Sequence, residues 1–171
     1  MVKKKMKSAK VIGYKRPSWD EYFLELVKVV GTRGTCDRGR SGALAVRENR
    51  VLCTGYVGAP QGAPHCDEVG HDLIEVTKDG ITTKHCQRTS HAELNLICQA
   101  ARDGISLKGA TIYCNMEPCY TCAKSLINTG IKRVVCWKRY HGAIMSRKVF
   151  KLAGVKLEVI LDEEQAYANK K

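Results

Sequence analysis

Ser90-His91-Ala92-Glu93 and Glu117-Pro118-Cys119-Tyr120-Thr121-Cys122 decide how the rest of this chain reads. Together they are His-x-Glu followed by Pro-Cys-x-x-Cys, whose first cysteine lies 28 positions after the histidine. Each half has the chemistry of a helix start. Ser90 is a good N-cap ahead of the periodic apolar residues Leu94, Ile97, Cys98 and Ala101, and Pro118 is pre-organised for a first helical position. Cys119 and Cys122 are three apart, share a helix face and can grip one ion. His91 offers a third ligand. Three nitrogen and sulfur ligands with one open position describe a catalytic rather than a structural zinc site.

Such an ion lowers the pKa of water towards neutrality, and Glu93, two residues from the histidine, is placed to relay its proton to a substrate nitrogen. The positive ends of both helices favour thiolates and hydroxide there. Cys-x-x-Cys alone reads equally well as a redox pair or half of a structural zinc site, and His-x-Glu alone carries little. Their combination, with the proline and an intervening strand, is specific, and it resembles the signature of zinc deaminases.

At 171 residues the chain fits one domain with an ample core. No apolar run reaches membrane-spanning length and the basic N-terminus lacks a signal-peptide apolar segment, so the expectation is a cytoplasmic protein without a membrane partner. Nine cysteines in that setting point to metal binding more than to disulfides. The net charge of +12 sits largely at the ends. Residues 1–16 hold Lys3, Lys4, Lys5, Lys7, Lys10, Lys15 and Arg16 without an acid, Lys170 and Lys171 add two, and +3 is left for the body. The expected organisation is a basic, disordered tail over 1–16, one deaminase-type domain over 17–162, and a C-terminal tail over 163–171.

Ser18 caps a helix over Asp20–Val30 that ends at Gly31. A loop with Cys36, Arg38 and Arg40 leads to a hairpin, Ala43–Arg47 and Val51–Tyr56. Gly55 to Gly62 is rich in glycine and proline and leaves the sheet edge for the site. Beyond 89 the chain alternates: helix 90–102, strand Thr111–Cys114, helix 118–128, strand Lys132–Trp137, helix Ser146–Leu152, strand Val155–Leu161. This predicts an α/β fold, a sheet with parallel pairs covered by helices on both faces. Cys53, Cys98, Cys114 and Cys136 lie in apolar surroundings and read as core.

Residues 63–89 form an irregular, metal-rich insertion holding His65, Cys66, His71, His85 and Cys86, with Leu73–Thr77 and Ile81–Lys84 as a small hairpin about Asp79-Gly80. Cys36, Cys66, His71 and Cys86 are the best set for a second, structural zinc, with His65 and His85 as substitutes. Free thiols and surface histidines are the competing reading, because the spacing fits no standard zinc finger.

The body from about Trp19 to Ile160 resembles the deoxycytidylate (dCMP) deaminase family of the cytidine deaminase superfamily. The resemblance is carried by Thr35-Cys36-Asp37-Arg38, Gly55-Tyr56-x-Gly58-x-Pro60, His65-Cys66-Asp67-Glu68, His91-Ala92-Glu93-Leu94-Asn95, Pro118-Cys119-x-x-Cys122-Ala123-Lys124 and Gly130-Ile131-Lys132-Arg133-Val134-Val135. It implies a three-layer αβα sandwich on a five-stranded mixed sheet, and hydrolysis of dCMP to dUMP and ammonia for thymidylate synthesis. It also implies zinc on His91, Cys119 and Cys122, with Glu93 as the proton shuttle. The Ala92 N–H is placed to read the ring edge, and Tyr140 matches a tyrosine that lines the nucleotide pocket in the superfamily. Arg38 and Arg40 are the candidates for phosphate or effector contact, since a monophosphate needs fixed positive charge. The family further implies homo-oligomers and response to dCTP and dTTP. This chain departs from the family turn Gly-Tyr-Asn-Gly by carrying Val57, which cannot hydrogen-bond a sugar.

Two other functions compete. A deaminase acting on tRNA or single-stranded DNA, or on another cytosine nucleotide, shares the site. A nucleic-acid groove needs base-stacking rings, however, and the chain is 6% aromatic. A non-enzymatic zinc-binding interaction protein has no use for Glu93 beside intact ligands.

Overall fold

The computed structural model describes residues 13–78 and 81–165. The basic segment expected over 1–16 falls mostly outside these residues, as do the Asp79-Gly80 turn and positions 166–171. In chain order the elements are α1 (Trp19–Gly31), β1 (Gly42–Arg47), β2 (Arg50–Tyr56), α2 (Cys66–Val69), β3 (Leu73–Lys78), β4 (Ile81–Cys86), α3 (Ala92–Arg102), β5 (Thr111–Met116), α4 (Tyr120–Asn128), β6 (Arg133–Lys138), α5 (Ile144–Leu152) and β7 (Lys156–Val159).

Five strands form one sheet in the order β2-β1-β5-β6-β7. β1 runs antiparallel to β2 and β5, whereas β5, β6 and β7 run parallel, so the sheet is mixed as expected. Glu48 and Asn49 turn the β1–β2 hairpin with φ of 52° and 57°, the left-handed pair that matches strand twist. Alternation along the strands splits the core into two layers. Leu44, Val46, Tyr113 and Val135 face α1, which buries Phe23, Leu24 and Val27. Ala43, Ala45, Ile112, Cys114, Val134 and Cys136 face α3, α4 and α5, with Leu96, Leu126 and Phe150 packed on them. α1 starts on a complete capping box, Ser18 with Glu21.

Glycine decides how close α3 comes. A Cβ at Gly55 on β2 would lie 2.2 Å from the Ala92 carbonyl oxygen and 2.5 Å from the Leu96 nitrogen, so the first turns of α3 rest directly on the strand backbone.

Three local expectations are corrected. Ser90 does not cap α3: its N–H and C=O pair with Gly58 at 2.9 and 3.2 Å, which pins the 56–62 loop to the helix start and leaves His91 as the N-cap. Pro118 is not helical either, because Cys119 takes the N-cap of α4. The buried face of α3 is Ala92, Glu93, Leu96 and Ala100, rotated from the expected one, and Cys98 is exposed rather than core. β3 and β4 make a separate two-stranded sheet, and α2 is a further turn the sequence reading left irregular. Past residue 162 the chain still pairs with the body, Gln165 donating to the Arg139 carbonyl at 2.9 Å.

Candidate metal centre and its surroundings

His91 and Cys119 are N-cap residues of α3 and α4, and neither side chain caps its own helix. Both turn instead towards a common point, joined by Cys122 one turn into α4. His91 Nδ1 lies 3.4 Å from Cys119 Sγ and 3.5 Å from Cys122 Sγ. Tetrahedral zinc with bonds of about 2.05 Å to nitrogen and about 2.3 Å to sulfur separates such ligands by about 3.6 Å, so the three side chains fit that ion. Cys122 is buried, Cys119 half-buried, and His91 is open to solvent, so one side of the centre is accessible.

The electrostatics agree. The Cys122 thiol, hydrogen-bonded to Cys119, outweighs burial and brings Cys119 down to about 4, with His91 assisting. The hydrogen bond to Cys119 likewise takes His91 up to about 9 against the partial desolvation of its ring. Glu93 is buried beside them, and desolvation pushes its carboxyl above the usual range although His91 pulls the other way.

The second sequence-derived set also comes together. Cys36, Cys66, His71 and Cys86 place their ligand atoms within 4.8 Å of one another. Cys66 and Cys86 are 3.6 Å apart, against about 3.8 Å for two thiolates on one zinc. Burial, then the Cys86 hydrogen bond, pushes the Cys66 thiol up to about 12. His71 presents Nδ1 to Cys36 at 3.8 Å and Nε2 to Asp37 at 3.0 Å. His65 and His85, the substitutes, are absent from this cluster. Val57 packs with Cys36 and Cys66 in its apolar wall, a role no local signal revealed.

The expected substrate residues divide. Ala92 is buried at the start of α3. Tyr140 is partly buried, and burial, followed by Cys119 and Cys122, pushes its hydroxyl up; its backbone N–H is held at 3.0 Å by Glu117, two residues before Cys119. Arg40 is committed to Asp67 through contacts of 3.0 and 3.1 Å and also reaches the Gly34 carbonyl. Arg38 donates to the Lys84 carbonyl at 2.9 Å. The sequence reading gave no role to His141, whose ring packs on that of Tyr140 with centroids 4.6 Å apart. Burial lowers the His85 pKa, and the next contributions come from His91, His141 and Arg38. It also missed Glu117, a carboxylate buried directly before Pro118.

The sequence model of the cytidine and deoxycytidylate deaminase zinc-binding region matches residues 17–138. The chain belongs to the cytidine and deoxycytidylate deaminase family. Among its relatives, ComE operon protein 2 of Bacillus subtilis is 38% identical over 149 residues, covering 86% of this chain and 75% of that one. The deoxycytidylate deaminase of Mycobacterium phage D29 is 39% identical over 124 residues, 70% of this chain and 94% of the phage protein. The Schizosaccharomyces pombe deoxycytidylate deaminase is 34% identical over 151 residues, 88% of this chain but 47% of the yeast one. The dCMP deaminase of cyanophage S-TIM5, solved with dCMP and dUMP, superposes with a TM-score of 0.67 at 24% identity, covering 86% of this chain and all of that one. It shares the fold of this family member, the αβα sandwich on a five-stranded mixed sheet. Zinc is the metal of the family, and no helix among the described residues is long and apolar enough to cross a membrane.

Proposed function

We propose that this chain hydrolyses dCMP to dUMP and ammonia with zinc held by His91, Cys119 and Cys122. The observation that carries the reading is a buried, unliganded Glu93 beside three ligand atoms at zinc spacing. Zinc bound there supplies Lewis acidity and lowers the pKa of water towards neutrality. Glu93, its carboxyl raised by burial, is suited to accept one proton from water and hand it to cytosine N3 as oxygen adds at C4, then to carry the second proton from the new hydroxyl to the amine, which leaves as ammonia while the C4 carbonyl forms. The Ala92 N–H, at a helix start without an intrahelical partner, reads the ring edge. Tyr140 lines the base pocket.

Arg38, whose guanidinium is a fixed cation held by the Lys84 carbonyl at 2.9 Å, supplies the positive charge for a monophosphate. Arg40 is the weaker candidate, because Asp67 offsets its charge. The Cys36, Cys66, His71 and Cys86 cluster holds a second, structural zinc that staples the β3–β4 hairpin to the loop after α1. The single domain runs from 17 past 162 to include the residues paired with Arg139; the enzyme is cytoplasmic, assembles as a homo-oligomer and responds to dCTP and dTTP.

Ammonia release from dCMP, deoxycytidine, dCTP and CMP tests the reaction, with Glu93→Ala as control. Turnover of dCMP that falls at least about a hundredfold in the variant supports it. No turnover of any of the four by zinc-loaded protein overturns the substrate. Light scattering reads the assembly, and rates at subsaturating dCMP with each triphosphate read the effectors.

A further inference from the structure

Glu117 is a carboxylate that the deamination chemistry leaves unused. Its side chain is 1% exposed, and both oxygens are occupied. Arg147 on α5 donates Nε to Oε1 at 2.7 Å and Nη2 to Oε2 at 2.5 Å, and the Tyr140 backbone N–H donates to Oε2 at 3.0 Å. One acid thus ties α5 to the loop carrying Tyr140. The opposite side of that loop is closed by Gly142: a Cβ there would meet the Tyr140 ring at 2.9 and 3.0 Å and its hydroxyl oxygen at 3.1 Å. The Ala143 N–H then donates to the Tyr140 carbonyl at 3.0 Å and turns the chain into α5.

Burying a carboxylate is costly unless it is paired, and an apolar residue would close this turn more cheaply. A bidentate guanidinium pair gives what an apolar residue cannot, a fixed direction. We propose that Glu117, clamped by Arg147, is a positioning residue that fixes Tyr140 beside the segment leading into Cys119, with Gly142 as the seat of the ring. What Tyr140 then touches rests on the dCMP reading; the clamp itself does not.

The test compares zinc-loaded full-length wild type with Glu117→Gln, Arg147→Met, Tyr140→Ala and the double variant Glu117→Gln/Tyr140→Ala. Three readouts are taken: kcat and KM for dCMP, zinc per chain, and the fluorine NMR resonance of Tyr140. The chain carries seven tyrosines, so 3-fluorotyrosine is incorporated throughout and Tyr140 is assigned by Tyr140→Phe. The expected result is a KM raised about tenfold in Glu117→Gln and Arg147→Met with kcat within about threefold, because a pocket residue binds ground and transition states alike. Zinc content stays constant, the Tyr140 resonance moves, and Glu117→Gln adds nothing in the Tyr140→Ala background.

Additive effects, or an unmoved resonance with lost zinc, would overturn the proposal and assign Glu117 to holding Cys119. Arg147→Met, at a side chain 40% exposed, carries the same test if Glu117→Gln does not fold. If wild type does not act on dCMP, the substrate reading fails alone. The fluorine resonance then decides the clamp, movement supporting it and constancy overturning it.

Discussion

His71 turns one ring nitrogen to a carboxylate and the other to a thiol: Nε2 lies 3.0 Å from Asp37 Oδ1, and Nδ1 lies 3.8 Å from Cys36 Sγ. A carboxylate behind a ligating imidazole fixes its tautomer and raises its basicity. Asp37→Ala is therefore expected to weaken one of two zinc ions by about 10- to 100-fold without altering the other. Elemental analysis checks this, with two zinc per chain in wild type and one in Cys66→Ser. Chelator competition measures the affinity difference.

Zinc capture by the first cluster should depend steeply on pH. His91, at about 9, is protonated in the metal-free protein at neutral pH, and Cys122 keeps its proton well above the ordinary thiol range while Cys119 is already ionised. Binding then expels two protons, so apparent affinity rises with pH, by about a hundredfold per unit below pH 9 and about tenfold per unit above it. Chelator competition at pH 6, 7 and 8 on Cys66→Ser, which isolates this site, gives the slope.

Arg133 holds the sheet to α1. It donates to both oxygens of Asp20 at 2.8 and 2.7 Å and also to Glu158, while the Tyr113 hydroxyl donates to Asp20 at 2.7 Å. Arg133→Met leaves two partly exposed acids without their cation and is expected to cost about 1–3 kcal/mol, the lower end being favoured by solvent screening. Arg133 holds the Asp20 and Glu158 carboxyls below their ordinary values of 3.8 and 4.5. Depressed acids stabilise above those values and stop doing so as pH falls through the lower folded ones. The gap between wild type and variant in thermal unfolding should accordingly be full at pH 6 and narrow below about pH 4.

Gly55→Ala tests the contact that seats α3. The added methyl would lie 2.2 Å from the Ala92 carbonyl oxygen, and backbone cannot rotate away as a side chain can. The expected cost is about 3 kcal/mol, with loss of deamination because His91 and Glu93 ride on the displaced turn. Denaturant unfolding reads the first effect and ammonia release the second.

What could be read without coordinates was whatever depends on neighbours in sequence. The Ser18–Glu21 box sets the start of α1, and the alternation of strands and helices after residue 89 gave the parallel pairs of β5, β6 and β7. His91, Cys119 and Cys122, and the set Cys36, Cys66, His71 and Cys86, were chosen by ligand chemistry and now lie within bonding reach of common points. Ligand types are few and cysteine is distinctive, so spacing and count suffice to nominate a cluster.

Tertiary structure decided everything that depends on a partner far along the chain. Ser90 has the side chain of a cap, but Gly58 takes its backbone, and the first cluster takes the side chains of His91 and Cys119 from their helices. The apolar periodicity of α3 pointed to Leu94 and Cys98, whereas Gly55 admits the face of Ala92 and Leu96. Glu117 carries no local mark of its role, because Tyr140 and Arg147 lie 23 and 30 residues away. Local preferences are weak beside the free energy of close packing and of pairing buried charge, and those depend on distance in space rather than along the chain.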